Sequence, residues 1–302
     1  MHINRQQIVS AAANWAARPA TASTINAYLG VEIDRIGDAR WGEAGKSYFG
    51  VNVADPLLWA NRIIDLGAGD WALTGIRYRG LDVSQPFIDI IATSLTPELF
   101  SFDHCTEILR QYECFKPLAM RIFTPVVWPN VAVDQYVVSA PIATIASHFS
   151  PTLENVQLRG MSADEAIKVE RSIYTKLREV NPRISRKFHL LTADQISPGM
   201  AWSVSTDGEL IGMVACAIDS QFGIDGIALT SICLVPQHHG KKFGKATLIH
   251  LARELADSEA YKTKELWGHI DGYNQVSLAN AQSVGREIVG AYVWSESVSQ
   301  LQ

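Results

Sequence analysis

The chain has 302 residues, 47% hydrophobic and 19% charged, with a formal net charge of −5. Its length predicts two domains rather than one, and its apolar content allows a sizeable core. A mild negative charge without a long run of either sign excludes a general nucleic-acid binder, although a local basic patch is compatible with it.

The four cysteines, Cys105, Cys114, Cys216 and Cys233, are widely spaced. No C-x-x-C pair marks a zinc site or a disulfide framework, and reduced thiols in the cytoplasm are expected. At the N-terminus, Arg5, Gln6 and Gln7 precede a mixed amphipathic stretch rather than a secretory apolar block. No apolar run reaches membrane-spanning length, so no membrane association is expected.

In chain order, residues 3–17 place Ile8, Ala11, Ala12 and Trp15 on one face of a short amphipathic helix. A short helix over residues 23–29 lies in an otherwise mixed stretch to residue 50. Asp55 followed by Pro56 gives an N-cap with proline in the first turn, and the predicted helix closes at Gly67. Residues 71–78 and 86–94 read as strands rich in Ile, Thr and aromatic residues. Ser101 or Asp103 starts a helix ending near Phe115, followed by strands over 119–124 and 135–139. Residues 147–152, with Pro151, carry turn formers and divide a first α+β domain, residues 1–150, from a second domain, residues 151–302.

The second half is more legible. A short strand over 156–159 precedes Ser162-Ala163-Asp164-Glu165, which has capping-box spacing. The helix behind it presents Ala166, Val169, Ile173 and Leu177. Residues 181–198 are irregular and polar. Strands over 201–206 and 209–218 meet at Asp207-Gly208, a strong hairpin pair. The nearly continuous apolar run 227–235 reads as a buried strand. Leu248, Leu251, Ala252 and Leu255 then recur at helical spacing. Between strand and helix lies His239-Gly240-Lys241-Lys242-Phe243-Gly244-Lys245, a basic loop. Free N–H groups of a loop and a helix start converge on one point there, and an anion fits them. A strand over 265–270, a helix over 274–284 and a strand over 288–294 complete the chain.

This stretch resembles the acyl-CoA-binding motif of the GNAT (Gcn5-related N-acetyltransferase) superfamily. The family loop Arg-Gly-x-Gly-x-Gly/Ala, after a Val-x-Pro strand end, here reads from His239 to Gly244 after Val235-Pro236. His239 replaces the leading Arg and Lys242 the middle Gly. A second motif, Asn-x-x-Ala/Ser with a later Gly, is matched by Asn274, Ser277 and Gly285. The resemblance implies a mixed α/β (α+β) fold with a central, mostly antiparallel, splayed sheet flanked by helices. The first half admits two readings, a plain α+β domain or a degenerate GNAT-like one.

The resemblance also implies the site. Leu234 and Val235 would offer backbone groups to the pantetheine amides of acetyl-CoA, the expected acyl donor. Gly240, Lys241, Lys242, Phe243, Gly244 and Lys245, with His239, would hold the pyrophosphate. Lys242 in place of Gly would cost ~1 kcal/mol if its backbone is left-handed; its ammonium is suited to the 3′-phosphate, and both lysines also suit a solvated turn. Asn274 and Ser277 would hydrogen-bond the cofactor arm, and Asn274 also suits a helix N-cap.

The implied reaction is direct acyl transfer to an amine in a ternary complex, with the Val235 N–H region as the oxyanion donor. For the general base, His269 ranks first, oriented by Asp271, and Asp225 second. Asp225 also suits a turn, and His269 a hydrogen-bonded structural role. The family's tyrosine acid is replaced by Ala281, which leaves Tyr273, Tyr292 or Ser283. The family's frequent Phe after the helix-ending Gly is Arg286. His238 and His239 have no third ligand at suitable spacing, so no metal is expected.

Three functions compete. The first is an N-acetyltransferase acting on a small-molecule or peptide amine. The second is a non-catalytic acyl-CoA sensor, favoured by Ala281 and the altered loop. The third is an aminoacyl-tRNA-dependent transferase, which would not need the pyrophosphate loop. No residue pattern indicates an oligomeric state.

Overall fold

The structure is a computed structural model, and its described residues are 3–101, 105–180 and 190–295. The chain forms two compact units. The first comprises Met1–Tyr136, Gln221–Ile224 and Val289–Gln302, the second Val137–Ser220 and Asp225–Ile288. Residues 147–152, expected to divide the chain, lie within the second unit.

The first unit begins with helices α1 (Arg5–Ala12), α2 (Ala22–Asp34) and α3 (Ala39–Phe49). Strands β1 (Arg62–Gly67), β2 (Asp70–Tyr78) and β3 (Pro86–Thr93), helix α4 (Thr106–Gln111) and strand β4 (Ala119–Thr124) follow. The predicted start at Asp103 lies outside the described residues. The last strand of the chain, β11 (Glu287–Trp294), pairs antiparallel with β4, giving the order β1-β2-β3-β4-β11.

The helix predicted from Asp55 to Gly67 does not form. Asp55 does cap, accepting from Leu57 N at 2.9 Å, but only for the single turn Pro56–Leu58. Arg62–Gly67 is instead strand β1, paired antiparallel with β2 and burying Ile64. The β-branched pair Ile63-Ile64 and the positive φ of Gly67, Ala68 and Gly69 favour a hairpin, and its ladder outweighs one capped turn.

Strand β5 (Ala132–Pro141) begins in the first unit and ends in the second. The second unit continues with α5 (Ile142–Ala146), β6 (Gln157–Gly160), α6 (Ala163–Val180), β7 (Ala201–Thr206), β8 (Glu209–Gln221) and β9 (Ile224–Leu234). It ends with α7 (Phe243–Ala256), β10 (Glu265–Asp271) and α8 (Gln275–Gln282). Strand order is β5-β10-β9-β8-β7-β6, with β6, β7 and β8 successively antiparallel and β9 and β10 parallel. Asp207 and Gly208 both take positive φ, as a tight hairpin between β7 and β8 requires.

The sheet is covered on both faces. Leu248, Ile249, Leu251, Ala252 and Leu255 of α7 pack with Val214, Cys216, Ile227 and Leu266. Ala166 and Ile173 of α6 pack with Met213, Ala215 and Cys233. Ser162 and Glu165 form the predicted capping box, with Glu165 Oε2 accepting from Ser162 N at 2.8 Å.

Candidate functional site

The β9–β10 ladder is short. Parallel pairing runs only from Gly226↔Glu265 to Ala228↔Trp267, whereas β9 continues to Leu234 and β10 to Asp271. The unpaired edges beyond Trp267 lie at the C-terminal ends of two parallel strands, where α/β sheets receive ligands.

The alternation of β9 slips just past the last pair. Ile227 and Leu229 pack in the core under α7, and so do Ile232 and Leu234. Ser231 and Cys233 face α6. A one-residue slip of this kind is what a bulge produces, and bulges re-aim backbone and side chains beside sites. The hydroxyl of Thr230, at the slip, is buried and finds no partner among the described residues.

The basic loop follows β9. Gly240 has φ +75° and Lys242 φ +65°, so both are left-handed. For lysine this conformation costs roughly 1–2 kcal/mol. Lys242 precedes α7 and gives it no side-chain cap. The amides of Phe243, Gly244 and Lys245 find no acceptor among the described residues, and the first intrahelical bond is Ala246 N to Lys242 O at 3.1 Å. These unclaimed donors stand at the positive end of a 14-residue helix and converge on one point. Gly244 is closely packed: a Cβ there would approach Asn280 Nδ2 to 3.1 Å. Lys241 and Lys242 are exposed beside these amides. This donor set fits a diphosphate.

Other expected donors are committed elsewhere. The Val235 N–H donates to Ile211 O at 2.8 Å, which removes it as an oxyanion donor. The Leu234 carbonyl accepts from His239 Nε2 at 2.9 Å, so the imidazole folds back on the strand end. Asn274 caps α8, its Oδ1 accepting from Ser277 N at 3.1 Å.

The candidate acid–base groups divide. His269, Asp271 and Tyr273 lie at the open end of β10. His269 is exposed, with its ring edge-on to Trp267 at 5.5 Å between centroids. Tyr273 donates its hydroxyl proton to Asp271 Oδ2 at 2.8 Å. Asp225 lies at the other end of the ladder, where Lys264 Nζ donates to both its oxygens at 2.7 and 2.6 Å. Nine residue steps along β9 lead from it to Leu234, roughly 30 Å at about 3.3 Å per step.

A polar cluster between α6 and β9 escaped the sequence reading. Glu170 is 1% exposed and accepts from Ser231 Oγ at 2.6 Å and Leu191 N at 2.7 Å. Tyr174, one turn along α6, hydrogen-bonds Ser231, and burial pushes its phenol pKa far above the usual range, with Cys233 and Glu170 adding to the rise. A carboxylate on the apolar stripe, between Ala166 and Ile173, is the pattern that marks Glu170. Among the described residues no group of His, Cys, Asp and Glu could hold a metal ion, and no helix is long and apolar enough to cross a membrane.

A parallel pair that ends early, followed by a helix start with unclaimed amides, is an arrangement suited to receiving an anion at the strand ends. The family is given by comparison with known proteins: residues 168–285 match the Acetyltransferase (GNAT) family, and the C-terminal half of this chain is a GNAT domain. No curated protein matches the chain. Among solved structures it is similar to a GCN5-related N-acetyltransferase from Sphaerobacter thermophilus, with 12% identity, 87% of this chain and 92% of that chain covered, and a TM-score of 0.48. It is also similar to one from Kribbella flavida, with 12% identity, coverage of 87% and 97%, and a TM-score of 0.45. A tandem GNAT protein from the clavulanic acid biosynthesis pathway shows 12% identity, coverage of 74% and 81%, and a TM-score of 0.45. The family supports acyl transfer as the broad activity.

Proposed function

We propose that the protein is an N-acyltransferase that moves an acyl group, acetyl in the simplest case, from coenzyme A to an amine. The observation that carries this reading is the set of unclaimed amides at Phe243, Gly244 and Lys245, at the end of an unpaired parallel edge. They would hold the diphosphate, with Lys241 and Lys242 beside it, while Asn274 and Ser277 border the arm. Bound acyl-CoA supplies an activated thioester carbonyl.

The chain's own residues would manage protons. His269 would accept a proton from the attacking amine, and Tyr273, turning its hydroxyl from Asp271 to the leaving thiolate, would donate one. The closed-end position and ion pair of Asp225 favour His269 over it. A small-molecule or peptide amine is the proposed acceptor, and the cytoplasm the proposed location. We also propose the first unit as a degenerate domain of the same type, because its own parallel pair, β3 and β4, ends early.

Calorimetry with acetyl-CoA tests the cofactor, and thiol release across an amine panel tests turnover. Binding and release are both expected. His269→Ala should lower kcat about 100-fold, within the range for a general base; an unchanged kcat removes His269 from that role. A non-catalytic acyl-CoA sensor is the second reading, favoured by Ala281 and by the committed Val235 N–H. It predicts binding without release.

A further inference from the structure

Arg286, which departs from the family's usual phenylalanine, is an uncompensated cation in the core of the second unit. It is 2% exposed. Among the described residues the guanidinium's one hydrogen bond runs from Nη2 to Val138 O at 3.3 Å, and its Nε has no partner. Among the described residues no carboxylate pairs with it. The ionisable group acting on it is the Cys216 thiol, whose own pKa burial pushes up to about 12, leaving it neutral. Burial lowers the guanidinium pKa to about 10, which still leaves it charged at neutral pH. A buried guanidinium with a single long hydrogen bond and an orphaned Nε–H carries a heavy desolvation penalty, and a bidentate carboxylate is the group that best relieves it.

The position of this charge indicates which carboxylate. Arg286 Nη2 lies 3.2 Å from where a Cβ of Gly268 would stand, and the Leu229 carbonyl lies 3.0 Å from the same point. Gly268 and Leu229 are the first residues beyond the last β9–β10 pair, Ala228↔Trp267. The guanidinium therefore reaches the root of the split, packed against Gly268 where the absence of a side chain lets it approach. From Leu234 back to Leu229 is roughly 17 Å of strand at about 3.3 Å per residue. That is of the order of an extended pantetheine arm, so a thioester anchored at the α7 amides ends its arm near this root.

We propose that Arg286 forms a subsite for a carboxylate at the far end of the acyl group, so that the preferred donor is a short dicarboxylic acid joined to coenzyme A through one end. This rests on the cofactor reading above and specifies its acyl group.

The test compares binding of coenzyme A, acetyl-CoA and succinyl-CoA by calorimetry in the wild type and in Arg286→Met. Methionine fills similar volume, and exchanging a buried ion for an apolar side chain is commonly neutral or stabilising, so the variant is expected to fold. The wild type should bind succinyl-CoA about tenfold or more tightly than acetyl-CoA, the scale of one charge-assisted contact. In Arg286→Met that preference should vanish while affinity for coenzyme A itself is kept. Should Arg286→Met unfold, Arg286→Lys, with its charge kept and its fork lost, should narrow the preference severalfold. Coenzyme A binding with equal affinity for the two thioesters would overturn this proposal alone. So would a preference that survives in Arg286→Met, or one that follows a carboxylate on the amine instead of on the acyl group. No binding of coenzyme A at all would remove the cofactor reading and this subsite with it.

Discussion

Each unit contains a strand, a helix and a second strand parallel to the first, and each closes that motif differently. In the first unit the ladder of β3 and β4 ends at Ile90↔Ile122, although β3 runs on to Thr93. In the second, the ladder of β9 and β10 ends at Ala228↔Trp267. Beyond its last pair the first unit is filled with aromatic rings. Phe123 and Phe222 stack at 3.7 Å, and Trp15 and Tyr28 line the same small pocket. Its connection, residues 94–105, holds no glycine, and α4 has only 6 residues. The second unit has left-handed Gly240 and Lys242, a 14-residue helix and unclaimed amides. Topology alone splits the parallel pair; loop conformation and side chains then decide whether the split receives a ligand or is packed shut.

The largest effect expected from breaking this contrast is structural. Phe222 is 7% exposed, and Ala17 N donates to its carbonyl at 2.8 Å. Phe222→Ala should cost about 3–5 kcal/mol, as for other buried aromatic truncations, while affinity for coenzyme A is unchanged. Denaturant titration and calorimetry read the two quantities separately; a parallel loss of affinity would contradict the division of labour. The converse change is Gly244→Asp. It brings a carboxylate to the anion point and a Cβ against Asn280. Coenzyme A affinity should fall about 100-fold, with little change in stability. An affinity within a few-fold of wild type would show that the α7 amides are not the diphosphate site.

A third change tests the polar cluster missed in the sequence. Glu170→Ala leaves the Leu191 N–H and the Ser231 hydroxyl without their acceptor. The expected loss is about 2 kcal/mol in the same titration. If stability is unchanged, Glu170 is not holding α6 to β9.

What was legible in the sequence follows the range of the interactions involved. The α7 helix, the Asp207-Gly208 hairpin and the Ser162–Glu165 cap are fixed by spacing and turn chemistry within a few residues, and each forms as expected. The stretch after Asp55 misled because its cap is local while its partner, β2, is chosen by pairing. The basic loop could be read as an anion site, but the loss of the Val235 N–H to Ile211 could not. It depends on the register of β8 against β9, which no residue near Val235 announces. Glu170 was readable in principle, since its place on the apolar stripe of α6 predicts burial with a partner. The partner itself, Ser231, is fixed only by tertiary packing.

The smallest effect separates two roles of Lys242 that the second unit combines and the first lacks. Its backbone is left-handed and its ammonium stands beside the α7 amides. Lys242→Ala keeps the unfavourable conformation and removes the charge; Lys242→Gly removes both. Glycine should therefore be more stable than alanine by about 1 kcal/mol, because only an L side chain is penalised at this φ. If the ammonium binds phosphate, both variants should lose affinity for coenzyme A equally, by a few-fold. The wild type's binding should also weaken more steeply with added salt than theirs, since an exposed charge is screened. Equal stability of the two variants would mean that the backbone relaxes out of the left-handed region. Equal affinity among all three would assign Lys242 to solvent and leave the amides to hold the diphosphate alone.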